Sequence, residues 1–186
     1  MILPVVQAPS EVLSQKAKHI EKLDESILKF IEDMKETLVA QKDPEGIGLA
    51  APQVGKSLQI FVVKPDAEAP FDIYINPSLE IMPEKKKKKK DEAQAKKERQ
   101  KLEGCLSLKI IWGTVKRASK VHLKWMDEKG EHHDAYFSGF YATILQHEYD
   151  HLQGILFPRR VLEQKGELYK SRKDKDGQDI FDPVEI

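Results

Sequence analysis

Two histidines and a glutamate stand together inside an apolar stretch of the chain. The sequence ILQHEYDHLQGILF, residues 144–157, places His147 and His151 four residues apart, with Glu148 directly after the first. A buried imidazole or carboxylate is costly unless something pairs with it. On a helix, this spacing puts both imidazoles on one side, where they can bind one metal ion, and Glu148 can then reach a water on that ion. The HExxH pattern therefore indicates a metal site.

A hydrolytic metal site needs a third protein ligand and one open position. Metzincin proteases take that ligand from a histidine further along the chain, but Phe157 stands at the corresponding position here. Cys105, in EGCLSL, is the chain's one cysteine, and a thiolate is a strong ligand for Zn²⁺ or Fe²⁺. Cys105 is therefore the candidate third ligand. The alternative is a buried thiol that packs as a small hydrophobic residue.

Two helices are predicted by apolar residues at helical spacing. The first begins after Asp24 as N-cap and runs to about Gln41, where Asp43-Pro44 ends it. The second runs from about Ser138 to Gln153, with Ser138 as N-cap and Gly154 just beyond its end. One face of this second helix carries Phe140, Ile144, His147 and His151.

Strands are predicted where β-branched and aromatic residues dominate. The segments SLQIFVVK (57–64) and FDIYINPSLEIM (71–82) are typical of strands. KVHLKWMD and EHHDAYF, residues 120–127 and 131–137, are joined by the turn sequence DEKG and predict a hairpin.

Composition excludes several classes of protein. The 186 residues, 40% hydrophobic, suit one domain, and 31 basic residues balance 31 acidic ones. This neutral balance argues against a specific nucleic-acid site or a membrane surface as partner. No apolar run is long enough to span a bilayer. The start of the chain has no basic segment followed by an apolar one, so we expect no secretory signal and a cytoplasmic location.

Two segments are dominated by charge and polarity. From Glu84 to Glu103 there are ten Lys or Arg and five Asp or Glu, a net charge of +5, including the run Lys85 to Lys90. We expect a solvated insertion at about residues 84–102, with docking on an anionic partner such as the ribosome as the alternative. A polar tail at about 165–186 is expected to be loosely ordered. The remaining chain completes a single domain over residues 1–186.

Three blocks in order make a specific resemblance. GIGLAAPQVG (46–55), EGCLS (103–107) and QHEYDHLQG (146–154) are similar to the peptide deformylase family, whose members remove the N-formyl group from nascent bacterial and organellar proteins. The resemblance covers roughly residues 1–160. It implies an α+β fold in which antiparallel sheets pack around a central helix carrying HExxH.

The resemblance also implies roles for individual residues. Cys105, His147 and His151 are expected to bind one divalent metal ion, with Fe²⁺ expected in vivo and Zn²⁺, Ni²⁺ or Co²⁺ as alternatives. Glu148 is expected to act as the general acid and base. The expected oxyanion donors are the Gln53 side chain and the backbone N–H of Leu106.

Substrate contacts follow from the same resemblance. Gly48 is expected to hydrogen-bond the main chain of a formyl-methionyl peptide, and Glu103 is placed among the substrate-binding residues. Ile47, Phe140 and Ile144 are expected to line the methionine pocket. Plain core packing is the alternative for these three apolar residues.

Departures from the family pattern keep rival functions open. Lys109 and Trp112 stand where relatives commonly have proline and, a few residues later, arginine or tyrosine, so a catalytically altered relative is one alternative. Another is an HExxH endopeptidase with Glu163 or Glu167 as the downstream ligand. A third is a structural Cys-His₂ site in a ribosome-associated binding module.

Overall fold

The computed structural model describes residues 1–42, 45–83 and 102–185. Within those ranges, two antiparallel sheets and three α-helices form an α+β fold, which confirms the predicted class. The helices are α1 (Glu25–Ala40), α2 (Gly139–Leu152) and α3 (Phe157–Glu163). The strands are β1 (Gly48–Ala50), β2 (Ile60–Val63), β3 (Asp72–Ile81), β4 (Leu102–Cys105), β5 (Leu108–Thr114), β6 (Lys120–Met126), β7 (His132–Ser138), β8 (Leu168–Lys173) and β9 (Asp179–Val184).

The larger sheet lies between α1 and α2. Its strand order is β1-β2-β3-β6-β7, and β6 and β7 form the predicted hairpin. Along β2, Ile60 and Val62 join the apolar cluster that includes α1, whereas Phe61 and Val63 join the cluster that includes α2. This strand is therefore buried on both faces, and its side chains hold α2 firmly against the sheet.

Helix α1 begins where its sequence predicts. The Asp24 side chain accepts hydrogen bonds from the backbone N–H groups of Ser26 and Ile27, at 3.0 and 3.1 Å. These bonds satisfy two of the donors that a helix start leaves free. The predicted stop at Asp43-Pro44 lies outside the described residues.

Helix α2 also has the predicted limits. Ser138 occupies the N-cap position, although its side chain makes no capping hydrogen bond. Gly154 follows the helix with φ of +70°, and a Cβ there would lie 2.6 Å from the carbonyl oxygen of Ser14. Only glycine allows both this backbone conformation and this close approach.

The smaller sheet carries Cys105 and has the order β4-β5-β8-β9. The prediction of a loosely ordered tail is wrong for β8 and β9, which pair from Leu168↔Val184 to Lys173↔Asp179, while β8 also pairs with β5. Backbone hydrogen bonds form these strands, and most of their side chains are exposed. Residues 84–101 of the predicted lysine-rich insertion lie outside the described residues.

No helix among the described residues is long and apolar enough to cross a bilayer.

Helix α3 joins the smaller sheet to the rest of the molecule through a small core. Val161 is fully buried in the cluster that contains Cys105 and Phe157, whereas its neighbour Leu162 is 53% exposed. We expect Val161→Ala to lower the free energy of unfolding by about 2 kcal/mol, because two methyl groups are lost and a cavity remains. Leu162→Ala is the matched control and should change it by less than about 0.5 kcal/mol. Equal effects of the two variants in chemical denaturation would contradict this packing.

Candidate active site

Cys105 and the two histidines come together from separate elements. Cys105 ends β4, whereas His147 and His151 project from one side of α2. Cys105 Sγ lies 3.3 Å from His151 Nε2, and one ligand atom of each of the three residues lies within 4.8 Å of the others. Cys105 and His151 are buried. The three predicted metal ligands are thus side by side, in a geometry that a single ion can bridge.

Glu148 lies buried beside these residues. Its side chain is 4% exposed, and its Oε2 has no hydrogen-bond partner among the described residues. Burial raises the pKa of Glu148 to about 7. A Cβ on Gly48 would lie 2.4 Å from Glu148 Oε1, so glycine alone lets β1 approach this carboxylate. The site therefore holds a carboxyl group that can both gain and lose a proton near neutral pH.

Gln53 is held with its donor group towards the site. It lies in the short 3-10 helix Ala51–Val54 and is 1% exposed. Its Oε1 accepts the backbone N–H of Ala50 at 2.8 Å, and its Nε2 lies 3.4 Å from Cys105 Sγ and 3.4 Å from Ser107 Oγ. Because Ala50 occupies the oxygen, the amide N–H group must face Cys105.

Glu103 binds a histidine and an arginine. His147 Nδ1 lies 3.0 Å from Glu103 Oε2, and Arg117 donates to both carboxylate oxygens, from Nε at 3.0 Å and from Nη2 at 2.7 Å. Burial would raise the pKa of Glu103, but His147 and Arg117 outweigh it and hold this pKa at about 2. The ionised carboxylate leaves Nε2 of His147 free to bind a metal ion. The role of Glu103 in substrate binding stays a prediction.

The two histidines have opposite electrostatic environments. Burial alone would lower the pKa of His147, but its contacts with Cys105 and Glu103 raise this pKa well above its ordinary value. Burial, reinforced by the nearby charge of His147, holds the pKa of His151 well below its ordinary value. The protein thus keeps His151 neutral, as metal ligation requires, and gives His147 an ionised partner.

The predicted pocket residues differ in exposure. Ile144 is buried, and Ile47 is partly buried against the same apolar cluster. Phe140, one turn before Ile144 on α2, is 56% exposed.

Leu106 follows Cys105 and is buried, and its carbonyl oxygen accepts a hydrogen bond from Gln7 Nε2 at 3.0 Å. The backbone around Cys105 is therefore anchored from the N-terminal segment.

The downstream ligands that an endopeptidase would use are engaged elsewhere. Glu163 forms ion pairs with Arg159 and Arg160, at 3.0 and 3.1 Å. Glu167 accepts a hydrogen bond from Tyr169 at 2.5 Å. Within the described ranges, neither glutamate joins the group formed by Cys105 and the two histidines.

Comparison with known proteins gives the family. The family model for polypeptide deformylase matches residues 2–167. The chain belongs to the polypeptide deformylase family. The peptide deformylase of Pseudothermotoga lettingae is 41% identical over 146 residues, covering 78% of this chain and 75% of that protein. That of Desulfotalea psychrophila is 36% identical over 178 residues, covering 94% and 96%.

Solved structures agree with this result. The crystal structure of peptide deformylase from Thermotoga maritima matches with a TM-score of 0.71 and 34% identity, covering 86% of this chain and 97% of that one. A peptide deformylase from Synechococcus elongatus in complex with actinonin also matches with a TM-score of 0.71 and 34% identity, covering 85% and 78%. The chain therefore has the deformylase fold and deformylase function, and the family is metal-dependent.

A metal ion fits the deformylase site by its chemistry. One thiolate and two imidazoles are a donor set that Zn²⁺ or Fe²⁺ accepts. Nδ1 of His151 and Oε2 of Glu148 are both buried, with no hydrogen-bond partner among the described residues. Buried polar atoms of this kind are rare outside functional sites. The residues present therefore suit a bound divalent ion and a polar substrate.

Three residues that surround this deformylase site are not assigned to it by the sequence. Asp150 is buried and accepts a hydrogen bond from Arg117 at 2.6 Å. Its position three residues after His147 already places it on the ligand side of α2. Ser107 is 1% exposed and contacts Gln53. Arg117 lies in a polar stretch whose sequence gives no signal of this long-range contact.

Removing the thiol tests the ligand set directly. We expect Cys105→Ala to abolish tight binding of one metal ion per chain, because two imidazoles alone leave the site a ligand short. Ser107→Ala, in the same loop, is the control and should retain stoichiometric metal. The measurement is elemental analysis after reconstitution and gel filtration. Stoichiometric metal in Cys105→Ala would remove Cys105 from the ligand set.

Proposed function

We propose that the chain removes the formyl group from the N-terminal formyl-methionine of newly synthesised proteins with one divalent ion held by Cys105, His147 and His151. The observation that carries this proposal is the convergence of these three side chains beside the buried carboxylate of Glu148. A structural metal site has no need of an unpartnered carboxyl group at its side, whereas hydrolysis needs a group that moves protons.

The metal supplies one element of this chemistry. When bound, a divalent ion with three protein ligands acts as a Lewis acid that acidifies water and polarises a carbonyl group. Fe²⁺ is the ion proposed in vivo, and Zn²⁺, Ni²⁺ or Co²⁺ share the preference for nitrogen and sulfur ligands. His151 is already neutral, whereas His147 would release its proton when it binds the ion, and the contact with Glu103 orients its imidazole.

Glu148 moves the protons. As a carboxylate it takes the proton of the attacking water, and as a carboxylic acid it gives that proton to the amine that leaves as formate is released. A pKa of about 7 suits both transfers, since neither protonation state is strongly disfavoured at neutral pH. The close approach of Gly48 to this carboxylate supports the proposal that the backbone of β1 hydrogen-bonds the peptide.

Gln53 and Leu106 stabilise the charge that develops on the formyl oxygen. The amide N–H group of Gln53 faces Cys105 because Ala50 holds its oxygen. The backbone N–H of Leu106 is the second proposed donor. Each such donor contributes about 3 kcal/mol to a tetrahedral oxyanion.

The remaining contacts define the substrate. Ile47, Ile144 and Phe140 are proposed to bind the methionine side chain, with Phe140 at the exposed edge. Gly48 and Glu103 are proposed to contact the peptide itself. The proposed substrates are formylated nascent chains, and the proposed location is therefore the cytoplasm. A transient association with the ribosome stays a prediction, because the lysine-rich segment 84–101 lies outside the described residues.

Glu148 separates catalysis from metal binding. We expect the unaltered enzyme to hydrolyse a formyl-Met tripeptide, and Glu148→Gln to lower kcat by about 10²- to 10⁴-fold while retaining its metal, because both proton transfers use this group. Glu131→Gln, exposed between β6 and β7, is the control and should be fully active. Near-normal kcat in metal-loaded Glu148→Gln would exclude Glu148 as the acid and base.

Gln53 tests the oxyanion donor. Gln53→Leu is close in size but cannot donate, and we expect kcat to fall by about 10²-fold or more with little change in KM, because the bond is strongest in the transition state. As the control, Gln41→Leu at the end of α1 removes a side-chain hydrogen bond to the carbonyl oxygen of Thr37 and should leave both constants unchanged. A change confined to KM would assign Gln53 to substrate binding instead.

A further inference from the structure

A chain of alternating charges leads away from His147 to the surface. Glu103 contacts His147 on one side and holds the Arg117 guanidinium on the other, through two hydrogen bonds. The third contact of Arg117 is to Asp150, where its Nη1 lies 2.6 Å from Oδ2. The Glu103, Arg117 and Asp150 side chains are all 12% exposed or less, so solvent screens their charges little.

Arg160, on α3, completes this chain. Its Nη2 donates to Asp150 Oδ1 at 2.7 Å, and its Nε donates to Asp150 Oδ2 at 3.1 Å. The pair is bidentate, which is the strongest geometry for a guanidinium and a carboxylate. Two arginines therefore share one buried carboxylate, and the Arg160 side chain is itself 32% exposed.

Loss of Arg160 would leave the buried Asp150 carboxylate short of hydrogen-bond donors. A buried carboxylate with one partner is poorly satisfied, because Oδ1 would then have no donor. Arg117 is the nearest cation, and turning towards Asp150 would draw it away from Glu103. Glu103 would then bind Nδ1 of His147 in a less fixed position. Arg160 prevents this rearrangement by satisfying Asp150 from the other side.

Helix α3 has a second contact with the same histidine. The Phe157 ring stacks on His147, with ring centroids 6.3 Å apart and an interplanar angle of 26°. Phe157 is buried in the cluster that contains Cys105. The helix that carries Arg160 therefore already limits the orientation of the imidazole by packing.

We propose that Arg160 is a positioning residue for the metal centre, acting on His147 through Asp150, Arg117 and Glu103. The inference rests on the metal centre proposed above. Through these contacts, Arg160 on α3 limits the movement of the His147 imidazole and so fixes the position of Nε2 relative to the ion. Partners that contact a metal-bound histidine directly typically change metal affinity by about 10- to 100-fold, so we expect a smaller effect, about 3- to 10-fold, from Arg160, which lies three links beyond Glu103.

The test compares two neighbouring arginines. Arg159 is 66% exposed and forms an ion pair with Glu163, as Arg160 does, so Arg159→Gln removes the same charge from the same helix. The dissociation constant of Zn²⁺ is measured by chelator competition, and the visible spectrum is recorded for each Co²⁺-loaded protein. We expect Arg160→Gln to weaken Zn²⁺ binding by about 3- to 10-fold and to alter the Co²⁺ spectrum, with Arg159→Gln unchanged in both. Arg160→Lys, which can satisfy only one oxygen of Asp150, should give an intermediate constant.

The outcomes separate positioning from simple stabilisation. If Arg160→Gln lowers the unfolding midpoint of the metal-free protein but binds Zn²⁺ as Arg159→Gln does, the proposal is overturned. Should Arg160→Gln not fold, Arg160→Lys decides the matter: an unchanged Zn²⁺ constant overturns the proposal, and a weaker one supports it. Absence of stoichiometric metal in the unaltered protein would instead refute the metal centre itself.

Discussion

The meeting of one thiolate with two imidazoles is the constraint on which the site depends. Cys105 and His151 are 46 residues apart in the chain, yet their ligand atoms lie 3.3 Å apart in a buried place. The fold therefore has to hold the end of β4 against one face of α2 at this distance. The larger sheet fixes α2 through β2, and α3 packs Phe157 and Val161 against Cys105. The N-terminal segment adds backbone bonds, from Val6 to the carbonyl of Gln53 and from Ala8 to that of Ser107.

The pKa values of two carboxyl groups beside the metal ligands are shifted in opposite directions. Glu103 has a guanidinium and an imidazole as partners, and its pKa is held at about 2. Glu148 is buried, with an oxygen that has no hydrogen-bond partner among the described residues, and burial raises its pKa to about 7. The first is therefore a fixed charge that orients a ligand, and the second is a group that exchanges protons. Pairs of titratable groups separated in this way are how one site assigns different roles to the same residue type.

The sequence predicts the parts of the site that depend on local spacing. HExxH on one helix face, the limits of α2 and the β6–β7 hairpin all follow from patterns within about 20 residues. Cys105 is a candidate ligand because it is the chain's one cysteine, but the choice between a ligand and a buried thiol, and any role for Gln53, needed the resemblance of three blocks. The geometry that the structure adds is the distance between those blocks.

What the sequence does not predict depends on long-range contacts. The spacing places Asp150 on the ligand side of α2, but its cationic partners, Arg117 and Arg160, are brought to it by the β5–β6 connection and by α3. The polar tail forms β8 and β9 because strand β5 offers an edge to β8 and β8 offers an edge to β9, and this pairing involves backbone groups, which leave no hydrophobic pattern. A residue pattern indicates which side chains are buried. It does not reveal the ion pairs of Asp150 or the backbone pairing of β8 and β9.

X-ray absorption spectroscopy of the metal-loaded enzyme tests the central claim most directly, because it reports the atoms bound to the ion. For a Zn²⁺-loaded sample, the account predicts one sulfur at about 2.3 Å and two imidazole nitrogens at about 2.0–2.1 Å, with the remaining position taken by a light atom. A first shell without sulfur, or with four protein ligands and no open position, would contradict it.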